Sequence, residues 1–225
     1  MPTQIGIFAK HWTPGRVKTR LAAGVGQTAA ADVARLFIQA LLQRLKITGD
    51  QHVVGFAPTE QRTAFEELAG AAWQLRPQCD GDLGQRMQHY FQQAFDAGAD
   101  RVLLLGADSP NLPLATIEEA LVALETVRLV LAPTDDGGYC LIGASRQPPP
   151  VLDDMPWSQT ELWQATRNRL DHLNWQEGTD WSCLRAWYDV DTADDLTRLR
   201  QDLAASNEPA LITLRDELHR ILPND

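Results

Sequence analysis

The chain has 225 residues, 44% of them hydrophobic and 22% charged, with a formal net charge of −10. This is ordinary soluble globular composition, long enough for one large domain or two small ones to bury a core without staples. The acidic balance argues against a nucleic-acid partner, which needs clustered Lys and Arg.

A first strand is predicted over Gln4–Ala9, followed by a loop rich in Gly, Pro and cations and a helix from about Thr28 to Lys46. The helix stripe, Val33, Leu36, Phe37, Ala40 and Leu41, recurs at spacings of three and four, the period of one helix face. A second strand is expected over His52–Ala57, a helix over Thr59–Leu68 and a short third strand at Trp73–Leu75. Leu83, Met87, Tyr90, Phe91, Ala94 and Phe95 form another helical stripe that stops near Gly98, a residue suited to ending a helix. Val102-Leu103-Leu104-Leu105 is a continuous apolar run, as in a strand buried on both faces. Leu114–Leu124 then reads as a helix, and Leu129–Ala132 and Tyr139–Gly143 as strands. Strands alternating with helices predict an α/β protein whose mostly parallel sheet is covered on both faces.

Gln147–Pro150, with three consecutive prolines, reads as a boundary loop. Beyond it lie Trp157, Trp163, Trp175, Trp181 and Trp187, of which those after Trp157 are read as core residues. Ser158 with Glu161 and Thr192 with Asp195 are spaced like capping boxes, predicting helix starts at Gln159 and Ala193. One domain over residues 1–225 is expected, with 147–225 as its accessory C-terminal portion. Cys79, Cys140 and Cys183 are widely spaced and form no CxxC, so neither a disulfide framework nor a zinc site is indicated. The start, Met1 to Lys10, lacks the regions of a signal peptide, and no apolar run approaches the length of a membrane span. A cytoplasmic protein with no membrane partner is expected.

Chemistry is concentrated in a few places. Asp108 follows the apolar run in Gly106-Ala107-Asp108-Ser109-Pro110. Ligands of open α/β sheets gather beyond the carboxyl ends of the strands. Asp108 is therefore either a carboxylate presented to a ligand or a cap of the Ser-Pro turn. The loop from Lys10 to Arg20 holds Lys10, Arg16, Lys18 and Arg20, a local concentration of cations that suits an anion, and Gly15 lets backbone amides approach it. The alternative is a solvated surface loop. It is not a P-loop, because Val17 stands where the glycine before the lysine must be.

Asp189-Val190-Asp191-Thr192 offers a second acidic site, one of whose aspartates is expected at the sheet edge beside Asp108. Two carboxylates plus substrate phosphates are a usual Mg²⁺ site. Asp136-Gly137-Gly138 is either a plain hairpin turn or a close backbone approach to a ligand. Asp82 and Gly84, at the start of a helix, offer an anion site or a simple cap.

In order, the blocks Lys10 with Pro14-Gly15 and Lys18-Thr19-Arg20-Leu21, Gly81-Asp82-Leu83-Gly84 with Arg86-Met87, Gly106 to Pro110, Asp136-Gly137-Gly138-Tyr139, Pro156-Trp157-Ser158, and Asp189 to Thr192 resemble one family. It is the family of GT-A-like radical-SAM/selenodomain-associated transferases, also labelled arsenosugar-biosynthesis glycosyltransferases. It is related to 2-phospho-lactate and molybdenum-cofactor guanylyltransferases and to sugar-acid cytidylyltransferases. His11-Trp12, Ala107 and Arg128 depart from its pattern, and none removes a proposed metal ligand.

The resemblance implies a GT-A nucleotide-diphospho-sugar transferase fold, Rossmann-like, and Mg²⁺ or Mn²⁺ held by Asp108 and Asp191. It implies a nucleotide or nucleotide-sugar donor at Lys10, Gly15, Lys18, Arg20, Asp82, Gly84 and Arg86. A small acceptor is expected at Asp136, Gly137, Gly138, Tyr139, Trp157 and Ser158. Asp108, Asp136 and Lys18 are the catalytic candidates. Glycosyl transfer is the expected reaction, nucleotidyl transfer the alternative, and a non-catalytic nucleotide-binding module a further one. A homodimer is compatible with this reading.

Overall fold

The computed structural model describes residues 2–223. Its strands are β1 (Thr3–Lys10), β2 (Gln51–Ala57), β3 (Gln74–Pro77), β4 (Arg101–Gly106), β5 (Leu129–Pro133), β6 (Tyr139–Ser145) and β7 (Trp181–Cys183). They form one sheet in the order β3-β2-β1-β4-β6-β5-β7. Every neighbouring pair is parallel except the two made by β6, which runs against both β4 and β5. The Asp136-Gly137-Gly138 segment is thus the turn of a β5–β6 hairpin. The helices are α1 (Thr19–Val25), α2 (Gln27–Leu45), α3 (Arg62–Ala69), α4 (Leu83–Asp96), α5 (Leu114–Ala123), α6 (Leu162–His172), α7 (Ala193–Ala204) and α8 (Pro209–Ile221).

The apolar run of β4 serves two cores at once. Leu103 and Leu105 pack with Ile5, Ile7, Leu41 and Ile117 on one face, while Val102 and Leu104 pack with Met87, Tyr90 and Phe91 of α4 on the other. A fully buried Leu contributes about 1.5–3 kcal/mol, so this strand anchors the sheet and sets where its C-terminal end lies.

A third core joins α1 and α2 to α7 and α8 through Leu21, Val33, Phe37, Leu199, Leu214 and Leu218. This refines the reading of α2. The stripe at Val33, Phe37 and Ala40 meets α7 and α8, whereas Ile38, Leu41, Leu42 and Leu45 face the sheet. A helix sandwiched between a sheet and two helices carries apolar residues on two faces, and a single-stripe pattern captures only one.

Four elements differ from the sequence expectations. The helix α1 lies inside the stretch read as a loop, because its few cationic and small residues carry no stripe long enough to register. Ser158 does not cap a helix at Gln159, for it sits at φ 64° and α6 begins only at Leu162. The short strand β7, edging the sheet beside β5, and the terminal α8 were not anticipated. Among the described residues no helix is long and apolar enough to cross a membrane.

Candidate active site

Because β1 and β4 are parallel neighbours, with Phe8 opposite Gly106, the loops that follow them open at the same sheet edge. A third segment reaches that edge from the C-terminal part. The Val190 N–H donates to the Asp108 carbonyl at 2.9 Å, and the Ser109 hydroxyl lies 2.5 Å from Asp189 Oδ1 and 2.9 Å from the Tyr188 carbonyl. Thr192 then caps α7 in a full capping box with Asp195, which fixes the direction in which Asp191 leaves the chain.

Lys18 lies at the centre of this junction. Its ammonium makes ion pairs with Asp108 Oδ1 and, at 3.1 Å, with Asp191 Oδ1, and donates to the Val190 carbonyl at 2.7 Å. The Lys18 side chain is 4% exposed, against 50% for Asp108 and 27% for Asp191. Burial alone lowers an ammonium pKa, but the charges of Asp108 and Asp191 outweigh it, and Lys18 is held above its usual value.

Lys18 also adopts a left-handed backbone, φ 46° and ψ 43°, where its carbonyl accepts the first α1 bond from Ala22 N–H at 2.8 Å. That conformation costs a non-glycine residue about 1–2 kcal/mol, and the Ala22 bond helps to hold it. Arg20, 66% exposed, donates to Asp191 Oδ2 at 2.5 Å.

Beside them Asp189 is partly buried. Desolvation first, then the neighbouring charge of Asp108, push its carboxyl up to about 7, against the opposing effects of the Ser109 hydroxyl and Lys18. The same burial, with the charges of Asp189 and Asp136 nearby, pushes the Cys140 thiol up to about 12, so this cysteine remains an unreactive thiol.

The cleft above these groups has a volume of about 410 Å³, within the usual range for small-molecule sites. Lys10, Arg16, Lys18, Asp108 and Asp191 form its charged wall, and Phe8, Val17, Ala34, Ile38 and Leu83 an apolar one. Leu83 is 40% exposed, an unusual position for Leu that the cleft explains. A larger hollow of about 620 Å³ lies between α2 and α3, lined by Trp12, Arg35, Lys46, Glu67 and Trp73 among others. It sits away from the strand ends that gather the carboxylates, so size does not decide the site.

The remaining sequence candidates fall into two groups. Asp136 stands in the hairpin turn, where its Oδ1 accepts from the Thr134 hydroxyl at 2.6 Å and the Gly138 N–H at 3.2 Å. The other hairpin glycine, Gly137, packs against the chain, since a Cβ there would meet the Thr160 carbonyl at 2.1 Å. Tyr139 and Trp157 rings meet edge to face, 6.2 Å apart, and both side chains' polar atoms are buried, Trp157 Nε1 with no hydrogen-bond partner among the described residues. Asp82 caps α4 in a box with Gln85, and Arg86 donates to the Gly81 carbonyl at 2.9 Å. Gly84 is where α4 approaches the C-terminal part, for a Cβ there would come within 2.1 Å of the Leu152 carbonyl and 2.7 Å of Trp157 Nε1. Gly15, at φ 76°, turns the first loop beside the Gln27 side chain and is not among the residues lining the cleft.

Lys10, Lys18, Asp108 and Asp191 are thus together in the cleft, with Arg20 bound to Asp191 at its rim, while Asp82, Gly84, Arg86, Asp136, Gly137, Gly138, Tyr139, Trp157 and Ser158 do not line it. The sequence reading counted Arg16 among the loop cations without assigning it to the donor site, and it passed over Gln78 and the apolar residues Phe8, Val17, Ala34 and Ile38 as part of the cleft.

A solved structure from Desulfovibrio desulfuricans G20, provisionally named a nucleotide-diphospho-sugar transferase, is 32% identical with a TM-score of 0.86, covering 100% of both chains. A cytidylyltransferase from Leptospira borgpetersenii serovar Hardjo-bovis is 17% identical, TM-score 0.57, over 100% of this chain and 98% of its own. The 4-diphosphocytidyl-2C-methyl-D-erythritol synthase from Anaerococcus prevotii is 11% identical, TM-score 0.56, over 97% of this chain and 99% of its own. These two share the fold alone. The Rossmann-like α/β sheet is therefore that of the nucleotide-diphospho-sugar transferase structure. No curated protein matches the chain. A family model described as "Uncharacterized protein conserved in bacteria (DUF2064)" matches residues 41–159, which include Asp108 and Asp136 and leave Lys18 and Asp191 outside. With more than half of its length matched, the chain belongs to this bacterial family, DUF2064.

Proposed function

We propose that this protein is a transferase acting on a nucleotide-activated donor, with Mg²⁺ or Mn²⁺ held by Asp108 and Asp191, and that it transfers a sugar from a nucleotide sugar to a small acceptor. One observation carries the reading: carboxylates from two distant segments converge on a single cation at the C-terminal edge of the sheet. The 32% identical structure, named for nucleotide-diphospho-sugar transfer, supports the donor class, and the six sequence blocks suggest the radical-SAM-associated transferases as nearer kin.

The donor set suits the metal. Among the described residues no group of three or more His, Cys, Asp or Glu side chains forms a metal cage, and two carboxylates with donor phosphates and water are how Mg²⁺ is commonly held. Bound there, the metal supplies a Lewis acid that neutralises charge on the leaving diphosphate. The chain's own residues do the rest. Lys10 and Arg16 line the cleft as positive charge for the phosphates, and Lys18 and Arg20 add theirs once the donor is bound, so the charge is in place before negative charge develops on the leaving group. Phe8, Ile38 and Leu83 form an apolar wall for the flat part of a nucleoside. Asp136, its Oδ1 already held by Thr134 and Gly138, orients the acceptor.

The four cations at or beside the cleft also favour a second reading, nucleotidyl transfer from a triphosphate, which carries more charge than a diphospho-sugar. Purified protein is incubated with Mg²⁺ or Mn²⁺ and panels of nucleotide sugars and nucleoside triphosphates. Release of nucleoside diphosphate supports glycosyl transfer, and release of pyrophosphate supports nucleotidyl transfer. Tight, metal-independent binding with no turnover of any donor overturns both readings in favour of a binding module.

A further inference from the structure

We infer that Lys18 is the resident cation of this site, occupying the point between Asp108 and Asp191 and yielding it to a divalent metal only when an anionic donor is present to receive the ammonium. This rests on the reading of Asp108 and Asp191 as the metal ligands, and concerns the order in which that site is filled.

Three observations lead to it. The Lys18 ammonium is bound to one oxygen of each carboxylate and to the Val190 carbonyl, so all three of its N–H donors are used. A metal ion and an ammonium cannot share that point, because each needs the same oxygens at contact distance. Charge balance is the second observation. Asp108 and Asp191 are already matched by Lys18 and Arg20, while Lys10 and Arg16 also line the cleft. Even with Asp189 beside Asp108, a bare dication there must compete with the Lys18 ammonium and sit near Lys10 and Arg16, whereas a diphosphate brings the negative charge that admits it.

The third observation is mechanical. Lys18 begins α1 in a left-handed backbone, and that carbonyl bond to Ala22 N–H holds the main chain in place. The exchange therefore needs only rotation of the flexible four-carbon side chain. Its ammonium, 5.4 Å from the centre of the Phe37 ring, can move onto phosphate oxygens in the same cleft without α1 unfolding.

Mn²⁺ retention by the full chain, measured by equilibrium ultrafiltration with and without inorganic pyrophosphate, tests the inference. Without an anion the wild-type protein is expected to hold Mn²⁺ at least about tenfold more weakly than Lys18→Met and Lys18→Gln, since the competing like charge is gone. Adding Asp191→Asn to Lys18→Met removes the gain. Pyrophosphate raises Mn²⁺ retention by the wild-type protein.

Equal Mn²⁺ affinity in wild type and Lys18 variants, or a gain that survives Asp191→Asn, overturns the inference. Should both Lys18 variants lose the native circular-dichroism spectrum, the wild-type arms still decide, and retention unchanged by pyrophosphate overturns it. Turnover plays no part in this readout. The expected Mn²⁺ pattern in a protein that turns over no donor sinks the transferase reading alone, and no Mn²⁺ retention in any arm sinks both.

Discussion

Asp108 is half exposed and pairs with Lys18, which keeps Asp191 and the Val190 carbonyl as partners when Asp108 is removed. Asp108→Ala is therefore expected to leave the far-UV circular dichroism unchanged while lowering turnover by about 10³-fold, the upper range for loss of one preorganised electrostatic group. Unchanged turnover would refute its metal role. Arg20 makes a largely exposed ion pair, worth at most about 1 kcal/mol of stability. Arg20→Ala is expected to leave the melting temperature nearly unchanged and to raise the donor KM by about tenfold, the value of one charged hydrogen bond to a phosphate. An unaltered KM counts against Arg20 as a phosphate ligand. At this scale Asp108 was legible because a buried strand ends on it. An aspartate of the 189–191 segment was expected beside it, but the place of Lys18 between Asp108 and Asp191 was not legible, because it joins residues far apart in the chain through the pairing of β1 with β4 and the bond from Val190 to Asp108.

At the scale of elements, local chemistry was readable where the partners are sequence neighbours. The Thr192–Asp195 capping box starts α7 where its spacing predicts, and Asp82 caps α4 in the same way. Thr192→Ala is expected to cost about 1 kcal/mol, lowering the melting temperature by about 2–4 °C. A larger effect on donor KM than on melting would show that the cap also positions Asp191. Ser158 and Glu161 have the same spacing without forming a cap, because Gly137 and Trp163 pin the intervening chain through the bond from Trp163 N–H to the Gly137 carbonyl, 2.7 Å. Gly84 shows the converse, a helix-start glycine whose role lies in packing. Gly84→Ala pushes a methyl against the Leu152 carbonyl and Trp157, and is expected to destabilise by about 1–3 kcal/mol as an overpacked contact does. Thermal melting of this variant decides it, and a wild-type melting temperature refutes the tight packing.

For the whole molecule, Arg44 ties the layers together. Buried at 3% exposure on α2, it makes a bidentate pair with Glu208 ahead of α8 at 2.6 and 3.0 Å and donates to the Pro110 carbonyl, two residues after Asp108, at 2.6 Å. Glu208 is 28% exposed, so removing Arg44 leaves it partly solvated and the cost is at the low end, about 3 kcal/mol, of what breaking a buried pair takes. Arg44→Met is expected to lower the melting temperature by about 6 °C or more, and an unchanged value would mean that solvent already satisfies Glu208. The sequence by itself determined the alternation of strands and helices, the buried β4 ending at Asp108, the cationic first loop and the capped α7. Each of these rests on periodicity or on hydrogen bonds between near neighbours. Only the tertiary structure decided that β6 runs antiparallel, that α2 is buried on two sides, and that Lys18 stands between Asp108 and Asp191. Those facts depend on which distant segments lie side by side, and the burial and charge pairing that select the arrangement arise only once the sheet has brought them into contact.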